Sequence, residues 1–209
     1  MYTLYYSPGA CSMAVHAALI ETGAKFELVK AELQGPTKDA RLLKVNPRHQ
    51  VPVLEDDGMV VREGAAILIH LLEKEGSALL PKSGPERTRT LEWLCWANAT
   101  LHPKYGVGFR VKALSDDPKA QESIAKFVCA DIQKAWNEAD AHLANNTYLA
   151  GDTVTIAGIL MAVVANWTPK MPGTITLGAN VKRVLQEITN RPAFQKALAD
   201  ESVEYKAAA

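Results

Sequence analysis

Along the first third of the chain the hydrophobic pattern switches repeatedly between a strand-like and a helix-like period. The run Thr3 to Tyr6 predicts a strand. Ser12 to Thr22 carries a helical pattern, and Gly23 stops it, because glycine readily takes the left-handed conformation after a last helical turn. Phe26 to Ala31 predicts a second strand. Asp39 to Val45 predicts a short helix ending before Asn46-Pro47, since a residue preceding proline avoids the α region. Val51 to Leu54 predicts a third strand, Asp57-Gly58 a hairpin turn, and Met59 to Arg62 the returning strand. Gly64 to Leu72 reads as a buried helix stopped at Gly76. The order is βαβαββα, a mixed sheet with helices on it.

Leu80-Pro81-Lys82-Ser83-Gly84-Pro85 has the composition of a linker, and only helical periodicity follows it. Glu86 to Leu101 predicts one helix, with Leu91, Cys95, Asn98 and then His102 on a single face and Trp93 and Trp96 pointing elsewhere. Asp117-Pro118 caps a long helix whose face carries Ile124, Val128, Ile132, Ala135, Ala139 and Leu143. Thr155 caps a helix over Ile156 to Trp167, Val181 to Ile188 marks another, and Arg191-Pro192 opens a last one. The predicted organisation is an α/β domain over residues 1–77, a linker over 78–85 and an all-α domain over 86–209.

Composition narrows the class. The chain has 209 residues with 23 basic and 23 acidic side chains, so no net charge points to nucleic acid or an anionic membrane. No apolar run is long enough for a membrane span, and the first residues lack the features of a signal peptide. Three scattered cysteines, Cys11, Cys95 and Cys129, make no disulfide framework and fit a reducing cytoplasm.

Four features carry candidate chemistry. Cys11 follows Pro8-Gly9 at a helix start, where unpaired N–H groups favour a thiolate, so its pKa is expected to be lowered. Ala14 stands where a second redox cysteine would be, so Cys11 would react with a small external thiol. Val51-Pro52 is a candidate cis bond presenting the Val51 backbone to an extended ligand. Glu63-Gly64 opens a helix, where the backbone binds carboxylates and Glu63 can hold an ammonium. His102 is a lone histidine before a proline; with no ligand-spaced cluster among the histidines, no metal is expected.

These features resemble a glutathione transferase, most similar to the bacterial beta class. The resemblance is carried by Tyr5-Tyr6-Ser7-Pro8-Gly9-Ala10-Cys11-Ser12, by Val45 to Leu54, and by Arg62-Glu63-Gly64-Ala65-Ala66-Ile67. It implies a thioredoxin-like N-terminal domain with a cis-proline, an all-helical C-terminal domain, and a cytoplasmic homodimer with the Cys95 helix at the interface. It implies a glutathione site at Cys11, Val51, Pro52, Glu63, Gly64 and His102, with Cys11 and His102 catalytic and Cys11 able to form a mixed disulfide. A small hydrophobic electrophile is the implied partner, against Tyr105, Phe109, Trp167 and Met171. The implied activity is conjugation, with reduction of mixed disulfides or peroxides through Cys11 beside it. A non-catalytic binding or partner-contacting protein of the same fold is the alternative.

The sequence departs from this family at several points. Gln34-Gly35-Pro36 replaces a stretch where relatives carry lysine, with Lys38 a candidate substitute; Cys95 and Pro103 stand where asparagine and lysine are common. Gly158 replaces the aspartate that closes a capping box with Thr155. The pattern alone predicts that Gly158→Asp stabilises the protein by about 1–2 kcal/mol.

Overall fold

The structure, a computed structural model, describes residues 1–33 and 38–207, so Gln34, Gly35 and Pro36 lie outside the described residues. The chain divides into two compact units, Met1–Gly84 with Asn190–Glu204, and Pro85–Thr189 with the residues from Tyr205 on.

In the first unit, β1 (Tyr2–Tyr6), β2 (Phe26–Lys30), β3 (Val53–Asp56) and β4 (Met59–Arg62) form one sheet in the order β2-β1-β3-β4. β1 runs parallel to β2 and antiparallel to β3, and β4 closes a hairpin on β3. The β1-to-β2 crossover needs a helix, and α1 (Ser12–Thr22) supplies it. Tyr2, Leu4 and Tyr6 are buried in β1 at every second position, as a strand with one packed face requires. α1 is buried from Ser12 to Leu19 because it packs on both α3 (Gly64–Lys74) and α10 (Pro192–Glu201) as well as on β1. On another patch of the sheet, α2 (Ala40–Val45) contributes Leu42 and Val45 to a cluster with Ala31 and Val53.

The contacts group α10 with this unit, whereas the sequence pattern runs the helical domain over 86–209. The reason is a buried polar link. Glu201 at the end of α10 is 4% exposed; one carboxylate oxygen accepts from the Gly9 N–H at 2.8 Å and the other meets His16 Nδ1 at 3.0 Å. The rings of Tyr6 and Phe26 close over His16. No periodicity in the last helix encodes such a long-range partner.

The second unit is helical: α4 (Gly84–Cys95), a π-helical turn (Trp96–Leu101), α5 (His102–Gly108), α6 (Val111–Leu114), α7 (Pro118–Leu143), α8 (Ile156–Ala165) and α9 (Ala179–Thr189). α7 starts as expected, with Asp117 accepting from the Lys119 N–H at 3.0 Å. Trp93, Leu94, Trp96 and Ala97 are buried and Cys95 is exposed, because the paired indoles, 5.0 Å apart, carry far more apolar surface than a cysteine.

All ten residues of α8 are buried, so it is the central element of this unit. Thr155 caps it without a side-chain hydrogen bond, which fits the absent partner at Gly158. The space for that partner is taken. A Cβ at Gly158 would lie 2.8 Å from Ile188 Cδ1, and Ile188 is itself fully buried on α9. Overpacking of this kind costs about 1–3 kcal/mol, and a carboxylate at this fully buried position also loses its solvation, which together outweigh the about 1–2 kcal/mol expected of the substitution. The expected stabilisation is therefore reversed: Gly158→Asp should melt a few degrees below wild type. Combining it with Ile188→Val removes the obstructing methyl, so the double variant should melt above the single one. A single variant melting above wild type would contradict this packing argument.

Candidate functional site

The β1–α1 turn holds Cys11. Ala10 N–H donates to the Ser7 carbonyl at 3.0 Å, closing the turn, and the buried Ser12 hydroxyl bridges the Ser7 N–H and carbonyl at 3.2 and 3.3 Å. Gly9 adopts φ +68°, a conformation glycine takes without strain, while Glu201 holds its N–H. Cys11 directly precedes α1 and its Sγ donates to the Val51 carbonyl at 3.6 Å.

That thiol contact corrects one expectation. Burial pushes the Cys11 pKa up to about 11, although the N–H groups of Cys11 and Ser12 pull it down and the Glu63 charge adds a smaller upward push. The helix start does favour the thiolate, but loss of solvent outweighs it. Cys11 is thus a protonated donor at neutral pH.

Val51 is delivered by a loop that Asn46 organises. Asn46 is 2% exposed; its side chain donates to the Gln50 carbonyl at 2.8 Å and accepts from the Arg48 N–H at 3.2 Å. The Val51–Pro52 bond is cis. Among the described residues the Val51 N–H has no hydrogen-bond partner, so it stands available to an extended ligand beside Cys11.

Glu63 precedes α3 with φ +72°, ψ +116°, a backbone conformation that costs a non-glycine residue on the order of 1–3 kcal/mol and tends to occur at functional sites. It does not cap α3 with its side chain. Its carboxylate instead pairs with Arg48 at 2.8 Å, both side chains being more than half exposed. The first N–H groups of α3 after Glu63 are left without a side-chain acceptor. Cys11, Val51, Pro52, Glu63 and Gly64 therefore all belong to the first unit, on the turns that enter α1, β3 and α3.

The remaining expected residues belong to the second unit. There Trp167, 5% exposed, is ringed by His102, Tyr105 and Phe109 at 5.0, 5.9 and 5.8 Å. Burial lowers the His102 pKa. Tyr105 is fully buried, and its hydroxyl is shared between Trp136 Nε1–H at 2.7 Å and Thr168 at 2.6 Å. Phe109 is 49% exposed and offers apolar surface. Met171 borders a cavity of about 530 Å³ together with Ile175, Leu177, Lys182 and Lys206.

Sequence reasoning missed the supports: Asn46, Arg48, Ser12 and Glu201. Asn46-Pro47 was legible as a turn signal; Glu201, 192 residues from Gly9 along the chain, left no local trace.

Comparison with known proteins gives these features a common meaning. Residues 1–73 match the family described as Glutathione S-transferase, N-terminal domain, and residues 111–192 its C-terminal domain. Glutathione S-transferase GstA of Escherichia coli O157:H7 is 30% identical over 205 residues, covering 96% of this chain and 98% of the relative. A sphingomonad glutathione S-transferase solved in complex with glutathione superposes with a TM-score of 0.83 at 30% identity, covering 97% of this chain and all (100%) of that one. A bacterial beta class enzyme from Sphingomonas chungbukensis gives 0.81 at 28% identity, with 97% and 100% covered. The chain belongs to the glutathione S-transferase family. It is a transferase of thioredoxin-like and helical halves, with bacterial beta class members among its structural relatives.

Proposed function

We propose that glutathione lies across the first unit, with its thiol beside Cys11 and its γ-glutamyl end at Glu63 and Gly64. The observation that carries this reading is the Cys11 sulfur at 3.6 Å from the Val51 carbonyl, on a residue whose own N–H has no partner among the described residues. Extended peptide is recognised by such backbone pairing. Glu63 supplies a carboxylate for the ligand ammonium, and the uncapped N–H groups at Gly64 and Ala65 suit the adjoining carboxylate. The Cys11 and Ser12 N–H groups stabilise negative charge on a sulfur held at the α1 start.

In conjugation, the glutathione sulfur attacks an electrophilic carbon, a C–S bond forms, and the leaving group departs with its electron pair. The chain's part is to hold the sulfur and favour its ionised form. Phe109 and Trp167 are the proposed apolar contacts of the electrophile, and His102 the proposed polar one. Cys11 itself supports a slower disulfide exchange: its thiolate attacks a glutathione disulfide, and glutathione thiolate leaves. A homodimer in a reducing cytoplasm, with all three cysteines free as here, belongs to the same reading.

Retention on immobilised glutathione tests binding, and flow-through favours the non-catalytic alternative. Calorimetry on Glu63→Ala tests the pose. A charge-assisted hydrogen bond is worth about 1.5–3 kcal/mol, but Glu63 is well exposed and shared with Arg48. The lower end applies, so affinity should weaken about tenfold with the melting temperature nearly unchanged. Unaltered affinity would remove Glu63 from the site.

A further inference from the structure

The helix leading to His102 changes register immediately before it. α4 ends at Cys95, the next turn over Trp96–Leu101 is π-helical, and α5 begins at His102. The His102 N–H donates to the Ala97 carbonyl, five residues back instead of four. The next residue is Pro103. Proline has no N–H, and in an α-helical turn its ring would press on the carbonyl four residues earlier, that of Ala99. A wide turn avoids both conflicts. It also acts as a one-residue insertion, rotating everything after it by about 100° relative to an unbroken helix.

This rotation has a visible result within the helical unit. It sets the His102 ring 5.0 Å from the Trp167 indole, inclined at 56°. The Tyr105 and Phe109 rings follow on the same indole. Pro103 itself is exposed, so packing of its ring in a core does not account for its presence.

We propose that Pro103 is a positioning residue: by denying the α-helical hydrogen bond at its own position, it holds the π-helical turn over 96–101 open and thereby seats His102 against Trp167. The consequence for catalysis rests on His102 being a site residue; the positioning does not.

The test is Pro103→Ala in the full chain, followed by NMR. The amide introduced at position 103 should bond the Ala99 carbonyl and exchange slowly with solvent. The His102 ring protons should lose the ring-current shift imposed by Trp167. Because burial is what lowers the His102 pKa, its titration midpoint should move up. The kcat for glutathione conjugation should fall at least tenfold, as expected when a contact to the reacting partner is moved out of place. Removal of an exposed proline from a helix is compatible with folding, and Pro103→Lys serves as a second variant with the same readouts. An unchanged ring-current shift and titration midpoint in a folded variant would overturn the proposal, as would loss of folding in both, which would make Pro103 a stability residue. His102→Ala separates the two ideas. If that variant conjugates glutathione at the wild-type rate, His102 is no site residue, while the NMR result still decides the role of Pro103.

Discussion

Alkylation of Cys11 by iodoacetamide should accelerate about tenfold per pH unit from pH 7 to pH 10. Only the thiolate reacts, and with a pKa raised to about 11 the ionised fraction keeps growing across this whole range. At pH 7 the fraction is about 1 in 10,000, against about 3 in 100 for an ordinary thiol. A higher pKa makes the thiolate more nucleophilic and returns part of the loss. The net expectation is a reaction some tens of times slower than that of an unperturbed cysteine. Cys11→Ala should remove the slow, steeply pH-dependent phase carried by the Cys11 peptide while the fold stays intact. Peptide mass mapping across the pH series decides. A Cys11 rate that levels off between pH 8 and 9 would show that the helix start, and not burial, governs this thiol. The same logic modifies the expectation for oxidised glutathione: a mixed disulfide on Cys11 should form slowly at neutral pH and faster as pH rises.

Glu201→Ala should be the most destabilising polar substitution in the first unit. It leaves the Gly9 N–H and the His16 imidazole without the carboxylate that now serves both, at 2.8 and 3.0 Å. Each bond to a buried charged acceptor is worth about 1.5–3 kcal/mol, and because the two share one carboxylate and do not simply add, together they suggest about 3–4 kcal/mol. For a chain of this size that lowers the melting temperature by roughly 6–15 °C. Glu201→Gln keeps one acceptor oxygen and turns an amide N–H₂ toward the other donor, so it should lose about half as much. Because Gly9 stands two residues before Cys11, the same variants should weaken glutathione binding although residue 201 is far from it in sequence. A melting temperature within a degree of wild type for Glu201→Ala would contradict the claim that α10 is fastened to the Cys11 turn.

The elements that local pattern describes are legible in the sequence alone. Strand alternation, the Gly23 stop, the Asp57-Gly58 hairpin and the Asp117 cap are decided by residues a few positions apart. The turn before α1, the cis Val51–Pro52 bond and the Glu63-Gly64 helix start were legible because turn chemistry and the family motifs point to the same residues. What stayed hidden depends on distant partners. α10 carries an ordinary helical signature, and only Glu201 reaching Gly9 and His16 assigns it to the first unit. Which face of α4 is buried is not legible either, because a 3.6-residue period counts positions and gives no weight to two indoles. The direction of the Cys11 pKa was misread because sequence shows the helix start but not the desolvation around it. At Gly158 the sequence shows a missing cap but not Ile188, which occupies the space of a side chain.

The central claim is that the first unit binds glutathione with its sulfur at Cys11 and presents it to an electrophile. The most direct measurement is the rate at which the purified chain conjugates glutathione to an activated aromatic halide, as a function of glutathione concentration. The account predicts acceleration over buffer that saturates with glutathione. In Glu63→Ala it predicts a glutathione KM raised about tenfold with kcat nearly unchanged, the signature of lost ground-state binding. No acceleration over buffer, or a Glu63→Ala variant with wild-type KM, would contradict it.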